Sequence, residues 1–215
     1  MNMNYRVQTI AVYFCCGVGL VLPSCSGKHE ARETIRYHTV NDSALALARN
    51  GDIVLRCGKD ELSKLFSRLN ARDQQYSHCG ILSRTDSGLY VTHIIGGNDN
   101  PGGYIRYEPV QSFIRPEQHT RWALVRYDLD SVAQQRFLYN MHLALKQRTR
   151  FDAAFDLATD DRMYCSELVY KLLLRATADS VYLSPTISSS GKKYVAIDNL
   201  FDNTHSTTVC AISYK

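Results

Sequence analysis

Apolar positions along the chain follow two periods. Leu168, Val169, Leu172 and Leu173 recur at helical spacing with no Gly or Pro between them, which predicts an amphipathic helix with Cys165 in its first turn. Asp160 and Asp161 lie just upstream, where a helix start favours acidic residues. Val132, Phe137, Leu138, Met141 and Leu145 predict the longest helix over Ser131–Lys146. Leu62, Leu65, Phe66 and Leu69 place one apolar face on a helix over Asp60–Leu69, and Asp42–Arg49 reads as a short helix stopped by Asn50-Gly51. Alternation marks Ser77–Ser83 and Leu89–Ile95 as two strands joined through Thr85-Asp86-Ser87-Gly88. Asp52–Arg56, Trp122–Tyr127 and Thr207–Tyr214 read as further strands, and Tyr104–Tyr107 as a shorter one. The segments Gly96–Gly103 and Val181–Lys193 read as loops. Short links between strands imply an antiparallel sheet packed against helices, hence an α+β fold.

The first residues carry a different pattern. An apolar run from Ile10 to Leu22 has the length of a signal-peptide core and falls short of a comfortable membrane span. It ends in Leu22-Pro23-Ser24-Cys25, which resembles a bacterial lipobox and makes Cys25 the expected lipidation site. Pro23 is a poor fit to that pattern, and the alternative is an ordinary secretory peptide cleaved near Ser24 or Ser26. The reading divides the chain into a lipoprotein signal peptide (1–24), a polar tether (25–41) and a folded domain (42–215). The expected location is the bacterial cell envelope, as an exported protein held to a membrane by its lipid.

Composition changes this picture little. With 215 residues, 45% hydrophobic and 21% charged, the chain can bury a real core. A net charge of +4 and a pI of about 8.6, spread over scattered basic residues, do not mark a nucleic-acid binder. Seven cysteines are present, and Cys57, Cys79, Cys165 and Cys210 fall in the expected mature fold. No two show CxxC spacing, which argues against a zinc or redox motif; Cys57–Cys79 and Cys79–Cys210 pairing both stay open.

The candidate chemistry lies at Cys165 and on the hairpin. A helix N-terminus presents free N–H groups and partial positive charge, which favour a thiolate and offer an oxyanion site. Tyr164 and Ser166, flanking the cysteine, are the candidate substrate and oxyanion residues. If Ser83 faces Gly88 across the hairpin, His78 lies directly opposite His93 on one face, with Gly80 leaving room beside the ring and Cys79 turned to the other face. One imidazole then accepts the thiol proton and the second orients the first. A lone cysteine or strand histidine is more often structural, so the weight rests on the three together. Zinc on His78, His93 and Cys165 would lack a fourth ligand, and the reading assigns no metal or cofactor. His119 and His142 belong to no constellation and are expected at the surface.

Asn50-Gly51-Asp52-Ile53-Val54, Ser77-His78-Cys79-Gly80-Ile81 and Val91-Thr92-His93 resemble the sequence blocks of NlpC-type papain-like cell-wall peptidases. In those enzymes the cysteine precedes the histidines; here Tyr164-Cys165-Ser166-Glu167-Leu168-Val169 follows them, as in the circularly permuted, YiiX-like branch. The resemblance spans about residues 50–175. It implies a papain-like fold, a nucleophile at Cys165, a base at His78 and an orienter at His93, where the permuted branch often has a glutamate. Asp152, in a recurring aromatic-Asp-x-x-Phe stretch, is expected to be structural. The implied activity is hydrolysis of an amide in cell-wall peptide or a related compound. The alternatives are a lipid-directed acyltransferase or thioesterase on the same residue order, whose usual Asn-Cys-Glu-His-Phe this chain lacks, and a non-catalytic surface binding module.

Overall fold

The computed structural model describes residues 36–98 and 100–214. The expected signal peptide, Cys25 and the first part of the tether lie outside these residues. A first helix, α1, occupies residues 36–45. The segment expected to be tether as far as Asn41 is therefore already folded. The reason is Asn41 itself: it is buried, its Nδ2 lies 2.9 Å from the Tyr214 hydroxyl, and it accepts from Trp122 Nε1 at 2.9 Å.

Six strands form one antiparallel sheet in the order β10-β5-β1-β2-β3-β4. They are β1 (Ile53–Gly58), β2 (His78–Thr85), β3 (Gly88–His93), β4 (Arg106–Pro109), β5 (His119–Tyr127) and β10 (Ser206–Ser213). Between them run α2 (Glu61–Ser67), α3 (Val110–Phe113), α4 (Ser131–Lys146) and α5 (Cys165–Thr177). Two-residue strands β6 (Arg150–Phe151) and β7 (Arg162–Met163) pair in parallel, and β8 (Thr186–Ile187) pairs with β9 (Lys193–Tyr194) inside the segment read as loop. Residues 197–200 form a 3-10 turn. Among the described residues no helix is long and apolar enough to cross a membrane.

The sheet is apolar on both faces because helices cover both. Ile53, Leu55, Cys79, Ile81 and Val125 pack against Phe137 and Met141 of α4 and Leu168, Leu172 and Leu173 of α5. Val54, Leu82, Val91, Trp122 and Leu124 pack against Ala44 and Leu45 of α1 and Val110 and Phe113 of α3. Side chains alternate along each strand, so β1 and β2 feed both layers. Asp52 is buried just before β1 and forms a two-point ion pair with Arg126 (2.8 and 2.7 Å), lashing β1 to β5.

Two further expectations fail in detail. The apolar face of the helix over Asp60–Leu69 does not turn inward: Leu62, Leu65 and Leu69 are exposed, and the buried residue of α2 is Ser67. Asp60 caps the helix, accepting from Ser63 N at 2.8 Å, so the local signal set the helix but not its orientation. The hairpin register also differs. Thr85 faces Gly88 and Ile81 faces Thr92, closing the turn on Asp86-Ser87 alone. Relative to the expected register this is a slip of two, which keeps both histidines on one face but makes them diagonal neighbours. Continuing the observed register brings Gly80 opposite His93. A Cβ on Gly80 would lie 2.4 Å from Val91 Cγ1 and 3.0 Å from His93 Cβ, so the close approach requires glycine.

Candidate active site

The neighbourhood of Cys165 is built by the turn before α5. Tyr164 is the extended N-cap residue, and its N–H donates to Glu167 Oε2 at 3.1 Å. Glu167 is fully buried and pairs with Lys171 Nζ at 2.9 Å, one turn on. Lys171 also reaches Asp160 Oδ1 at 2.9 Å and donates to the Thr159 carbonyl. Burial raises the Glu167 carboxyl to about 7 against the opposing pull of Lys171. Asp160 thus anchors α5 through Lys171 and Arg175, while Glu167 is the acid of the first turn.

Tyr164 and Ser166 do something other than present side-chain oxygens. The Tyr164 hydroxyl accepts from Val195 N at 2.7 Å, and Ser166 Oγ donates to the Val195 carbonyl at 2.7 Å. Both are buried, and together they clamp Val195 against the start of α5. Their side chains position the turn, and the first-turn backbone N–H groups of Cys165 and Ser166 have no partner within the helix.

Cys165 is the first residue of α5 and stays partly exposed. Its thiol is held well below the usual range, first by a hydrogen bond from the Cys79 thiol, then by the charge of and a hydrogen bond to His78; burial opposes both. Cys79 is pushed well up by its complete burial and by the neighbouring Cys165 sulfur. Cys79 is the core residue expected, and in addition it touches Cys165. Cys57, Cys79, Cys165 and Cys210 are all free thiols, so neither open pairing is made.

His78 opens β2 and His93 closes β3. His78 Nε2 lies 2.9 Å from His93 Nδ1, and His93 Nε2 lies 3.0 Å from Glu108 Oε1. Both rings sit against Phe113, at centroid distances of 5.6 and 5.0 Å. Phe113 is held in turn by Arg56, which stacks on its ring at 4.2 Å and donates to its carbonyl at 2.9 Å. Burial lowers His93 to about 4, assisted by His78 and Arg56 and opposed by Glu108, so His93 is neutral at physiological pH. Burial raises Glu108, but His93, Arg106 and Arg56 outweigh it and hold the carboxylate below its ordinary range. A neutral His93 beside a carboxylate carries its proton on Nε2, which leaves Nδ1 to accept from His78 Nε2–H. That occupies Nε2 of His78 and leaves Nδ1 for Cys165.

The structure therefore brings Cys165, His78 and His93 into one chain of contacts and extends it to Glu108. Glu108 was not singled out from the sequence. It lies in a four-residue strand ending in proline, with no hydrophobic alternation to mark it; only the glutamate expected at the third position in the permuted branch pointed to such a residue. His119 is a correction: it is buried, its Nδ1 sits 2.9 Å from the Arg115 carbonyl, and burial and Arg56 lower it to about 4. His142 is exposed, as expected. Asp152 is buried and accepts from the N–H groups of Ala154 (2.8 Å) and Asp156 (2.6 Å), which makes it a loop brace.

Residues 47–210 match the permuted papain-like amidase enzyme family, YaeF/YiiX, C92, and the chain belongs to that family. Its fold is thus papain-like, on a permuted α+β frame. Among similar proteins is the uncharacterized protein YiiX of Escherichia coli strain K12, 26% identical over 132 residues, a match covering 60% of this chain and 58% of that protein. The crystal structure of the metalloprotein YiiX from Escherichia coli O157:H7 superposes with a TM-score of 0.59 at 22% identity, over 75% of this chain and 96% of that one.

Proposed function

We propose that the protein cleaves an amide bond, in a cell-wall peptide or a related amide, by thiolate attack from Cys165. The observation that carries this reading is the continuous contact from the Cys165 thiol through His78 and His93 to Glu108. The Cys165 thiolate adds to the carbonyl carbon, and the developing oxyanion meets the first-turn N–H groups. His78, as imidazolium, gives its proton to the leaving nitrogen as the C–N bond breaks. A thioester remains. His78 then takes a proton from water, whose oxygen displaces Cys165 and releases the carboxylic acid. His93 and Glu108 keep His78 in the tautomer and orientation these transfers need.

The metal of the YiiX structure has no counterpart in this reading. The two histidine nitrogens nearest each other face one another, and His93's other nitrogen lies 3.0 Å from Glu108 Oε1. Among the described residues no group of three or more His, Cys, Asp and Glu is arranged to hold a metal ion. No step is assigned to one.

Export and lipidation at Cys25 belong to the same proposal, supported by the Ile10–Leu22 run and Leu22-Pro23-Ser24-Cys25. Mass spectrometry of the mature N-terminus tests this, and an unmodified terminus beyond Cys25 overturns it. The catalytic reading is tested by incubating the protein in parallel with peptidoglycan fragments and with acyl esters and reading products and intact mass. Amide cleavage with a thioester adduct on the Cys165 peptide is the expected result. Turnover of esters alone would move the reading to the lipid-directed alternative.

A further inference from the structure

Arg56, half-buried on β1, joins the segments that carry the histidine chain. Its backbone faces His78 across the ladder, and its carbonyl accepts from Ser77 N at 3.0 Å, which fixes the residue before His78. Its side chain reaches α3. There Nη1 donates to the Phe113 carbonyl at 2.9 Å, and the guanidinium lies 4.2 Å from the Phe113 ring centroid. Because α3 continues directly from β4, the strand of Glu108, this one side chain ties the start of β2 to the segment from Glu108 to Phe113. His93, on β3, lies between the two strands so joined.

Phe113 is fully buried, and its ring meets both imidazoles. A flat ring against each of them limits the orientations they can take. Phenylalanine has no polar atom to hold it in place, so the stacked guanidinium and the bond to its carbonyl do that work beside ordinary packing. The charge matters as well. A protonated His93 would present Nδ1–H to His78 Nε2, and His78 would then carry its own proton on Nδ1, facing Cys165, where it could not take the thiol proton. Burial is the first cause that keeps His93 neutral, and Arg56 adds to it against the pull of Glu108. Arg56 also favours the ionised form of Glu108. The other charged or titratable groups around it are His78 on β2, Arg106 on β4, His119 at the start of β5 and Arg115 before it.

We infer that Arg56 is a positioning residue of the reaction: it pins Phe113 as the wall against which His78 and His93 are oriented, and its charge keeps His93 a proton acceptor toward His78. This rests on the reading of Cys165 as nucleophile proposed above. Arg56 acts through Phe113 and His93 and is given no contact with substrate. Lysine at this position would keep the charge but could not stack as a plane on Phe113 while donating to its carbonyl, so the two parts of the role separate.

Imidazole nitrogen NMR of the wild type, Arg56→Gln and Arg56→Lys, followed from about pH 4.5 to 8 across the ordinary histidine range, tests this together with kinetics on the best substrate. Wild-type His93 is expected to stay neutral over the range, with its proton on Nε2. In Arg56→Gln its titration should move up by about 1 on the pH scale, the effect of removing one nearby charge, with Nδ1 becoming protonated. Arg56→Lys should match the wild type in His93 protonation. Turnover should fall about tenfold in Arg56→Gln, the usual loss for a residue that orients another, with KM unchanged, and by less in Arg56→Lys. An unchanged His93 in Arg56→Gln overturns the inference. So does a rise in KM with kcat kept, which assigns Arg56 to substrate binding, and so do equal effects of Gln and Lys, which assign it to packing alone. If the glutamine variant does not fold, the lysine variant decides: wild-type turnover there removes the role in holding Phe113. The NMR needs no substrate, so a protein inactive on every amide fails the proposed function while the His93 result still stands or falls by itself.

Discussion

At the scale of single residues, the site works by assigning different charges to similar groups. Cys165 is driven toward thiolate by the Cys79 hydrogen bond and by His78, whereas Cys79, in contact with it, is driven toward thiol by burial. Iodoacetamide near pH 6 should therefore label Cys165 well before Cys57, Cys79 and Cys210, as read by peptide mapping. Equal, slow labelling of all accessible thiols would count against an activated nucleophile and return the binding-module reading. Cys165→Ser and His78→Ala are each expected to remove nearly all turnover with the fold intact, because they act as one unit. His93→Ala should cost less, on the order of a hundredfold, the scale of a positioned proton-transfer group. Glu108→Gln should cost least, since an amide oxygen can still accept from His93. It should also shift the pH–rate profile, which a purely structural glutamate would leave in place. Steady-state kinetics across pH on the best substrate separates these.

At the scale of elements, the β2–β3 hairpin and the α5 turn bring the parts together. Gly80 permits the close approach of His93, and Gly80→Ala places a methyl 2.4 Å from Val91 Cγ1. The expected cost is about 1–3 kcal/mol of stability, typical of overpacking, together with loss of turnover as His93 is displaced. Urea unfolding and rate measurements on the same sample test both, and wild-type stability with wild-type rate would contradict the account. Hairpin legibility was partial for a physical reason. The strand period of two identified the face that His78 and His93 share, but turn residues Thr85 to Gly88 fit more than one loop length. The two-residue turn that forms shifts the pairing by two and makes the histidines diagonal. For α2 the period is plain in the sequence and its direction is not, because periodicity reports that a helix has two faces, not which one meets the sheet.

At the scale of the whole molecule, buried ionisable groups set how stability follows pH. His93 and His119 are each lowered to about 4 by burial, so the unfolded chain binds their protons first as pH falls. Their contribution is complete above about pH 6.5, the unfolded histidine value, and is lost as pH drops toward 4. Glu167, raised to about 7, acts in the opposite sense: its contribution is present below its unfolded value and is lost as pH rises through 7. Two histidines outweigh one carboxyl, so net stability is expected to fall as the solution is acidified from pH 6.5 to 4. The slope is at most about 1.4 kcal/mol per pH step of one for each proton taken up. Replacing Glu167 by Gln should steepen that fall. Melting temperatures measured across this range decide it, and a midpoint that rises on acidification would show that the histidines are not held neutral.

The sequence by itself determined the longer helices and the main sheet strands, the α+β class, and the family to which the motif blocks point; it missed the helix start at residue 36 and the short β8–β9 pair. It also singled out Cys165, His78 and His93, because each sits in a short local pattern: a helix start, a strand of period two, a glycine two residues on. Glu108, the Cys79 contact, the burial of His119 and the clamp on Val195 came only with the tertiary structure. Each of these joins segments far apart in the chain or depends on what packs over them, and local periodicity carries no information about which distant strand lies next to which. The exposed stripe of α2 is of the same kind. The leucines are written in the sequence, but the absence of a core above them is decided by how the helix meets the sheet.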